Sequence, residues 1–377
     1  MPLRRWTDRV LVTGFLLALA GYSAISWANV AGDKSRLVKL TIPSGPKEKV
    51  WSALPPKFES LFTNHLPARD TLAALYAALK VTWCGVSPSP RVWIGSNGWL
   101  FYNHNCDDFF MPANDPQFPL YLEFWAHEFT ARHLLLKAWG IKYLLVIAPN
   151  KQTIYPELLP PAARRSGPDS IARFLKCRRL ADDICFVDLR GPLLEAKKDV
   201  PLYLATDTHW NPTGAHVGYT EIARALAAWF PGMTPKPRHE FCVVPGRIEH
   251  GDLARMVGLD GRLPEAVDYL HHGSMPRQSD EPVPLDNPPL EHVRTFVFDQ
   301  DGTSLPRAVM LCDSFGEHLT TMLAPHFSRF VSVGTYSFEL NLIRREKPDV
   351  VIQVMVEREF ELKLTRQQLL DHQLIAP

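Results

Sequence analysis

The chain is 377 residues long, 46% hydrophobic and 21% charged, with a formal net charge of +1. That length allows one large α/β domain with appendages, and the apolar share supports a packed core, which excludes a fibrous or disordered chain. The balance of charge excludes a function built on neutralising phosphates, so no nucleic-acid partner is expected.

Arg4, Arg5 and Arg9 lead into residues 10–32, a run without charge that Asp33 ends. A signal peptide needs ~7–15 apolar residues and a membrane-spanning helix ~20; the run serves for either, with small-residue cleavage sites at Ser26-Trp27-Ala28 and Asn29-Val30-Ala31. The basic flank keeps the arginines in the cytoplasm and sends everything after residue 33 outside it. Residues 1–32 are thus expected to be an N-terminal hydrophobic helix acting as signal anchor or signal peptide, residues 33–90 a stem, and residues 91–377 the folded domain. The expected location is the periplasm, with association to the inner membrane through residues 10–30. In that compartment disulfides persist. Of the six cysteines, Cys177 and Cys185 bracket a short segment and Cys84 and Cys106 a Pro/Gly-rich one. Either pair suits a bridge, the first more so.

A helix over 69–80 precedes the breaker run Gly85 to Pro90. Residues 91–102 read as two short strands around Ser96-Asn97-Gly98, because Asn-Gly supplies the positive φ of a tight turn. Helical spacing of Leu122, Trp125, Phe129, Leu134, Leu135 and Trp139 predicts a helix over 121–139, stopped by Gly140. The apolar run 143–148 suits a parallel strand buried on both faces. Strands over 185–189, 307–312, 329–333 and 349–356 follow, with helices over 213–230, 315–323 and 338–345. Residues 274–292 read as a Pro-rich surface excursion. Strand–helix alternation predicts an α/β fold with a doubly wound parallel sheet and functional groups at the carboxyl ends of its strands.

Two segments carry chemistry. Asp313-Ser314-Phe315-Gly316 follows a strand, where a serine at a strand-to-helix turn exposes its Oγ and aims its N–H at an oxyanion. The alternative is that Asp313 or Ser314 merely caps the next helix. Thr206-Asp207-Thr208-His209-Trp210-Asn211 holds an Asp and a His two apart. In an extended loop Asp207 can hold the His209 Nδ1–H while Nε2 faces a serine. Its alternatives are an ordinary surface pair or a metal site of Asp207, His209 and His216, which no metal-binding signature supports.

Asp313-Ser314-Phe315-Gly316 resembles the GDS block of SGNH/GDSL hydrolases, and Asp207-x-His209 their Asp/His block. In that superfamily the serine block comes first; here it comes last. This permuted order resembles the periplasmic alginate O-acetyltransferases and related exopolysaccharide acetylation proteins. So do Gly95 to Tyr102, Pro149 to Pro156, Tyr203 to Ala215, Gly251-Asp252-Leu253, Pro348-Asp349-Val350 and Glu357-Arg358. The resemblance runs from about residue 91 to 360; it departs at Cys312, where the family has glycine. No carbohydrate-binding segment is evident after residue 360, which favours the shorter, anchored type.

The resemblance implies an SGNH-like domain that acetylates an exported polysaccharide through an acetyl-serine. Ser314 would be nucleophile, His209 base and Asp207 its orienting carboxylate, with no cofactor and no metal. The partners implied are the polysaccharide acceptor and a membrane-bound acyltransferase that delivers the acetyl donor. An esterase or deacetylase using the same residues, and a non-catalytic component of an export complex, are the alternative functions. For the oxyanion the Ser314 N–H is one donor. Arg344 (or Arg345) is a second candidate, unless it is a solvated helix-end arginine. Asn150 and Lys151 follow a strand end and either line the cleft or form a turn. Trp99, Tyr102, Tyr155 and Trp210 either stack on sugar rings or belong to the core.

Overall fold

A computed structural model describes residues 69–103, 117–163, 170–177, 180–286, 293–361, 364, 365 and 368. The expected helix within residues 1–32 and Cys106 lie outside the described residues. Among those described, no helix is long and apolar enough to cross a membrane. The chain divides into two compact units, Met1–Tyr76 and Ala77–Pro377, and all the described strands belong to the second.

These strands are β1 (Val92–Ile94), β2 (Leu100–Tyr102), β3 (Lys142–Ala148), β4 (Cys185–Asp188), β5 (Phe241–Ile248), β6 (Glu265–His272), β7 (Arg277–Ser279), β8 (Thr295–Asp299), β9 (Arg307–Cys312), β10 (Arg329–Gly334) and β11 (Val350–Val356). The main helices of the same unit are α1 (Phe118–Ala138), α2 (Pro212–Ala227), α3 (Gly316–Leu323) and α4 (Leu340–Glu346). Seven strands form one sheet in the order β4-β3-β11-β9-β10-β8-β7. The apolar runs of β3, β9 and β11 occupy its centre, as burial on both faces requires. Along them the side chains alternate. Leu144, Val146, Met310, Ile352 and Val354 pack beneath α2 and α3, whereas Leu145, Ile147, Val309, Val351 and Met355 pack beneath α1 and α4.

Five strands are parallel, as expected, but β8 pairs antiparallel with both β10 and β7 at one edge, so the sheet is mixed rather than wholly parallel. The β5–β6 hairpin forms a separate two-stranded sheet. The β1–β2 turn has the expected form, with Asn97 at φ 56° and Gly98 at φ 78°.

The Cys177–Cys185 bridge does not form, and both thiols are free. Cys185 packs with the core beneath α2 and α3 and Cys177 with the core on the opposite face, so the sheet itself separates them. The order β3-β11-β9 brings three chain reversals to one edge, those after Ala148, Cys312 and Val356.

Candidate active site

Ser314 sits at the turn between β9 and α3. No side chain caps α3, so the capping alternative does not hold. Asp313 instead braces the turn: its Oδ1 accepts the Phe315 N–H at 2.8 Å, and its Oδ2 accepts the Val356 N–H at 2.7 Å and the Tyr336 hydroxyl at 3.1 Å. Burial pushes the Asp313 carboxyl up, against the charge of Arg358 and those hydrogen bonds. Ser314 is left exposed, and its own N–H makes no hydrogen bond among the described residues. The turn is tight because Gly316 lies on Cys312, where any Cβ would collide with the sulfur.

His209 comes from a loop between residues 201 and 211 that has no regular structure beyond one bridge, Tyr203 to Trp210. Its Nε2 lies 2.6 Å from Ser314 Oγ and its Nδ1 2.6 Å from Asp207 Oδ1. Since a carboxylate only accepts, Nδ1 carries the proton and Nε2 is free to accept from the serine. Asp207 also accepts the His209 N–H and the Asp252 N–H, each at 2.9 Å. Burial works against its ionisation, but these donors and the His209 charge outweigh it and hold the carboxyl well below the usual range.

The loop is fixed by side chains from elsewhere. Asp252 accepts the Thr208 N–H at 2.8 Å and the Thr208 hydroxyl at 2.5 Å. Burial, then the charge of Asp207, raise its carboxyl above the ordinary value. Glu265 accepts the N–H groups of Ala205 and Thr206 at 2.6 Å each. Buried Lys151 donates to the carbonyls of Leu100 at 2.6 Å and of Ala205 and Asp207 at 2.9 Å. Burial pulls its ammonium down to about 7.

A serine, an imidazole and a carboxylate in one hydrogen-bonded chain can activate the hydroxyl as a nucleophile. Residues 92–285, just over half of the sequence, match the family described as "SGNH hydrolase-like domain, acetyltransferase AlgX". The chain belongs to this family. The matched stretch includes Asp207 and His209 and ends before Ser314. Similar proteins include the probable alginate O-acetylase AlgJ of Pseudomonas aeruginosa, 30% identical over 260 residues, which are 67% of this chain and 60% of that protein. The namesake from Azotobacter vinelandii is 28% identical over 235 residues, 60% of this chain and 57% of that protein. This sequence thus spans about 60% of the length of these curated relatives. Bacillus cereus PatB1 shares the fold, with a TM-score of 0.53 at 16% identity, over 70% of this chain and 95% of that one.

Several expected family residues lie elsewhere. Arg344 is exposed on α4 and stacks over Trp139, 5.1 Å from the ring centre; Arg345 pairs with Glu346 at 3.6 Å. Arg344 is thus engaged with the residue that ends α1, and Arg345 within its own helix. Arg358 is the arginine at this edge: its guanidinium lies over Phe315 at 5.4 Å and has no ion pair among the described residues.

Trp210 is fully buried against Phe315, and Tyr155 is buried with its hydroxyl accepting from the Leu202 N–H at 3.0 Å. Both are core residues rather than sugar platforms. Trp99 is only partly buried and lines a cleft of about 730 Å³ with Asn211, Arg238, Glu265 and Asp268. Asn150 is buried, its N–H bonded to Glu357 at 2.9 Å and its side-chain nitrogen without a partner among the described residues.

His216 bonds the Lys236 carbonyl at 3.0 Å, away from the rival metal set. Asp207, His209 and Asp252 do lie within 4.8 Å of one another, but their ligand atoms are already committed to N–H and O–H groups of the loop and to Ser314.

Sequence reasoning missed Asp252, Glu265 and Arg358 as site residues. Two of them stand in segments that carry the family resemblance, Gly251-Asp252-Leu253 and Glu357-Arg358.

Proposed function

We propose that this protein transfers acetyl groups to a hydroxyl of an exported polysaccharide through an acetyl-serine at Ser314. The observation that carries this reading is the unbroken chain Asp207–His209–Ser314, with both links at 2.6 Å. The names of the curated relatives, probable alginate O-acetylases, support the reaction class.

In the first half-reaction His209 Nε2 takes the proton of Ser314 Oγ as the oxygen attacks the carbonyl carbon of an acetyl ester. The Ser314 N–H is unspent and receives the developing oxyanion, and Arg358 supplies positive charge beside the turn. Collapse breaks the donor's C–O bond, and His209 returns the proton to the departing oxygen. In the second half-reaction a sugar hydroxyl repeats the attack, losing its proton to His209, and Ser314 is regenerated. Asp207 keeps Nδ1 protonated throughout and stabilises the imidazolium.

Because Ser314 is exposed, water also reaches the intermediate, so hydrolysis is the competing outcome. The full chain incubated with a small acetyl ester and oligosaccharides should yield acetylated sugar. Free acetate alone, independent of sugar, would make the protein an esterase. The same reading has the domain in the periplasm, held at the inner membrane by residues 10–30, with a membrane-bound acyltransferase delivering the donor. A reporter fused after residue 40 should be active only when exported.

A further inference from the structure

A cavity of about 300 Å³ opens beside Ser314. It is lined by Val293, Phe296, Cys312, Thr320 and Ser332, with Ser314 itself contributing to the wall. Resting on the acyl-serine reading of Ser314, we infer that this cavity is the acyl-binding subsite and that it takes neutral straight-chain acyl groups longer than acetyl, of the propionyl and butyryl class.

Three observations lead there. The first is position. No residue of the 206–209 loop lines the cavity. Donor and acceptor oxygens must both pass His209 Nε2, which hands each its proton or takes it away. With the carbonyl oxygen held by the Ser314 N–H, the acyl substituent is the remaining group on the reacting carbon that points away from His209, and the cavity bordering Ser314 is open to it.

The second is size. The methyl of an acetyl group is close to a water molecule, whose share of liquid is about 30 Å³. A cavity near 300 Å³ is at the lower end of those that enclose a whole small molecule, so acetyl leaves most of it unfilled. Each further methylene that leaves water for the cavity favours binding.

The third is polarity. The hydroxyls inside are committed to one another: Thr320 Oγ donates to the Gly316 carbonyl at 2.9 Å and lies 3.0 Å from Ser332 Oγ. Cys312 Sγ faces Ser332 Oγ at 3.8 Å and the Val333 carbonyl at 3.7 Å, and burial pushes its thiol up to about 12, so it stays protonated. At the rim Arg294 is paired with Glu317. Asp313 also lines the cavity, with its oxygens taken by the Phe315 and Val356 N–H groups and the Tyr336 hydroxyl, so neither an anionic nor a strongly polar acyl tail finds an unspent partner.

The step is the same acyl transfer. The Ser314 Oγ–acyl bond forms, the donor's ester C–O bond breaks, and the serine proton leaves through His209 to the donor oxygen. The test uses the full chain with 4-nitrophenyl acetate, propionate, butyrate and hexanoate, reading kcat/KM and the mass of the acylated Ser314 peptide. Butyrate should be turned over at least as well as acetate. Val293→Trp should lower the butyrate-to-acetate ratio by about tenfold, and Phe296→Ala should shift the optimum to a longer chain.

A wild-type protein that accepts acetate but rejects propionate and butyrate overturns the inference and leaves the acetyl-transfer reading standing. A ratio unmoved by either variant also overturns it, by removing the cavity from chain selection. Absence of any adduct on Ser314, acetate included, ends the acyl-serine reading and this inference with it.

Discussion

The two segments that meet between Ser314 and His209 are held in opposite ways. The serine turn is an extension of regular structure. β9 fixes one side, α3 the other, and a single carboxylate, Asp313, ties the turn to the neighbouring strand end. The histidine loop has almost no regular structure and is suspended from polar side chains on three other segments, Lys151, Asp252 and Glu265. The first is positioned by strand register, which is hard to disturb from a distance. The second is positioned by buried and part-buried hydrogen bonds, each of which leaves an unsatisfied group when its partner is removed. The same 2.6 Å contact is therefore robust from one side and fragile from the other.

The largest effect tests the contact itself. Ser314→Ala should lower ester turnover by several orders of magnitude, and adding His209→Ala should cost little more, because such residues act as a unit. The fold should be unaffected, since the Ser314 side chain caps no helix end; equal melting temperatures with lost turnover would check both points.

Next comes Asp207→Asn, expected to lose on the order of 10⁴ in kcat through the wrong histidine tautomer. It should also alter the acid limb of stability. Asp207 has a folded value below its ordinary one, so as pH falls the unfolded chain binds the proton first. This contribution is present above the ordinary carboxylate range, near ~4, and is lost as pH falls through the lower folded value. Acid unfolding monitored by circular dichroism should therefore be shallower in Asp207→Asn.

Lys151→Met attacks the loop without touching the reacting groups. Two buried carbonyls and a part-buried one lose their donor, which should cost roughly 3 kcal/mol in urea unfolding. Turnover should fall more than ground-state binding as His209 loses its place. A variant of wild-type stability would mean that the loop does not hang from Lys151.

Asp252→Asn should be mildest. One acceptor for Thr208 is lost, but so is a like charge beside Asp207, so the two terms oppose and turnover should change only a few-fold.

The same division explains what is legible in the sequence. β3, β9 and β11 announce themselves as apolar runs because both their faces are covered, and the turn after Cys312 follows from where such a run ends. β8 and the β5–β6 hairpin escape a reading by pattern because their faces are half exposed and Pro245-Gly246 interrupts the alternation. Asp207 and His209 are legible as neighbours in sequence. Asp252 and Glu265 are not, since only folding brings them to the loop. Arg344 is suggested by its place on a helix following the serine, yet the helix presents it to Trp139. Arg358 reaches the turn because β11 pairs with β9, and no spacing along the chain encodes that adjacency.

The close seating of Gly316 on Cys312 also constrains the order in which this turn can change. A methyl added at 316 meets the Cys312 sulfur and Cβ, whereas the next neighbour, Met310 Cε, stands at an ordinary 3.5 Å. Gly316→Ala is therefore barred while the thiol is present and becomes admissible once Cys312→Gly has come first. The two positions form a one-way step in sequence space: a library that varies position 316 alone will return only the parent, and one that varies both will recover alanine there only alongside glycine at 312.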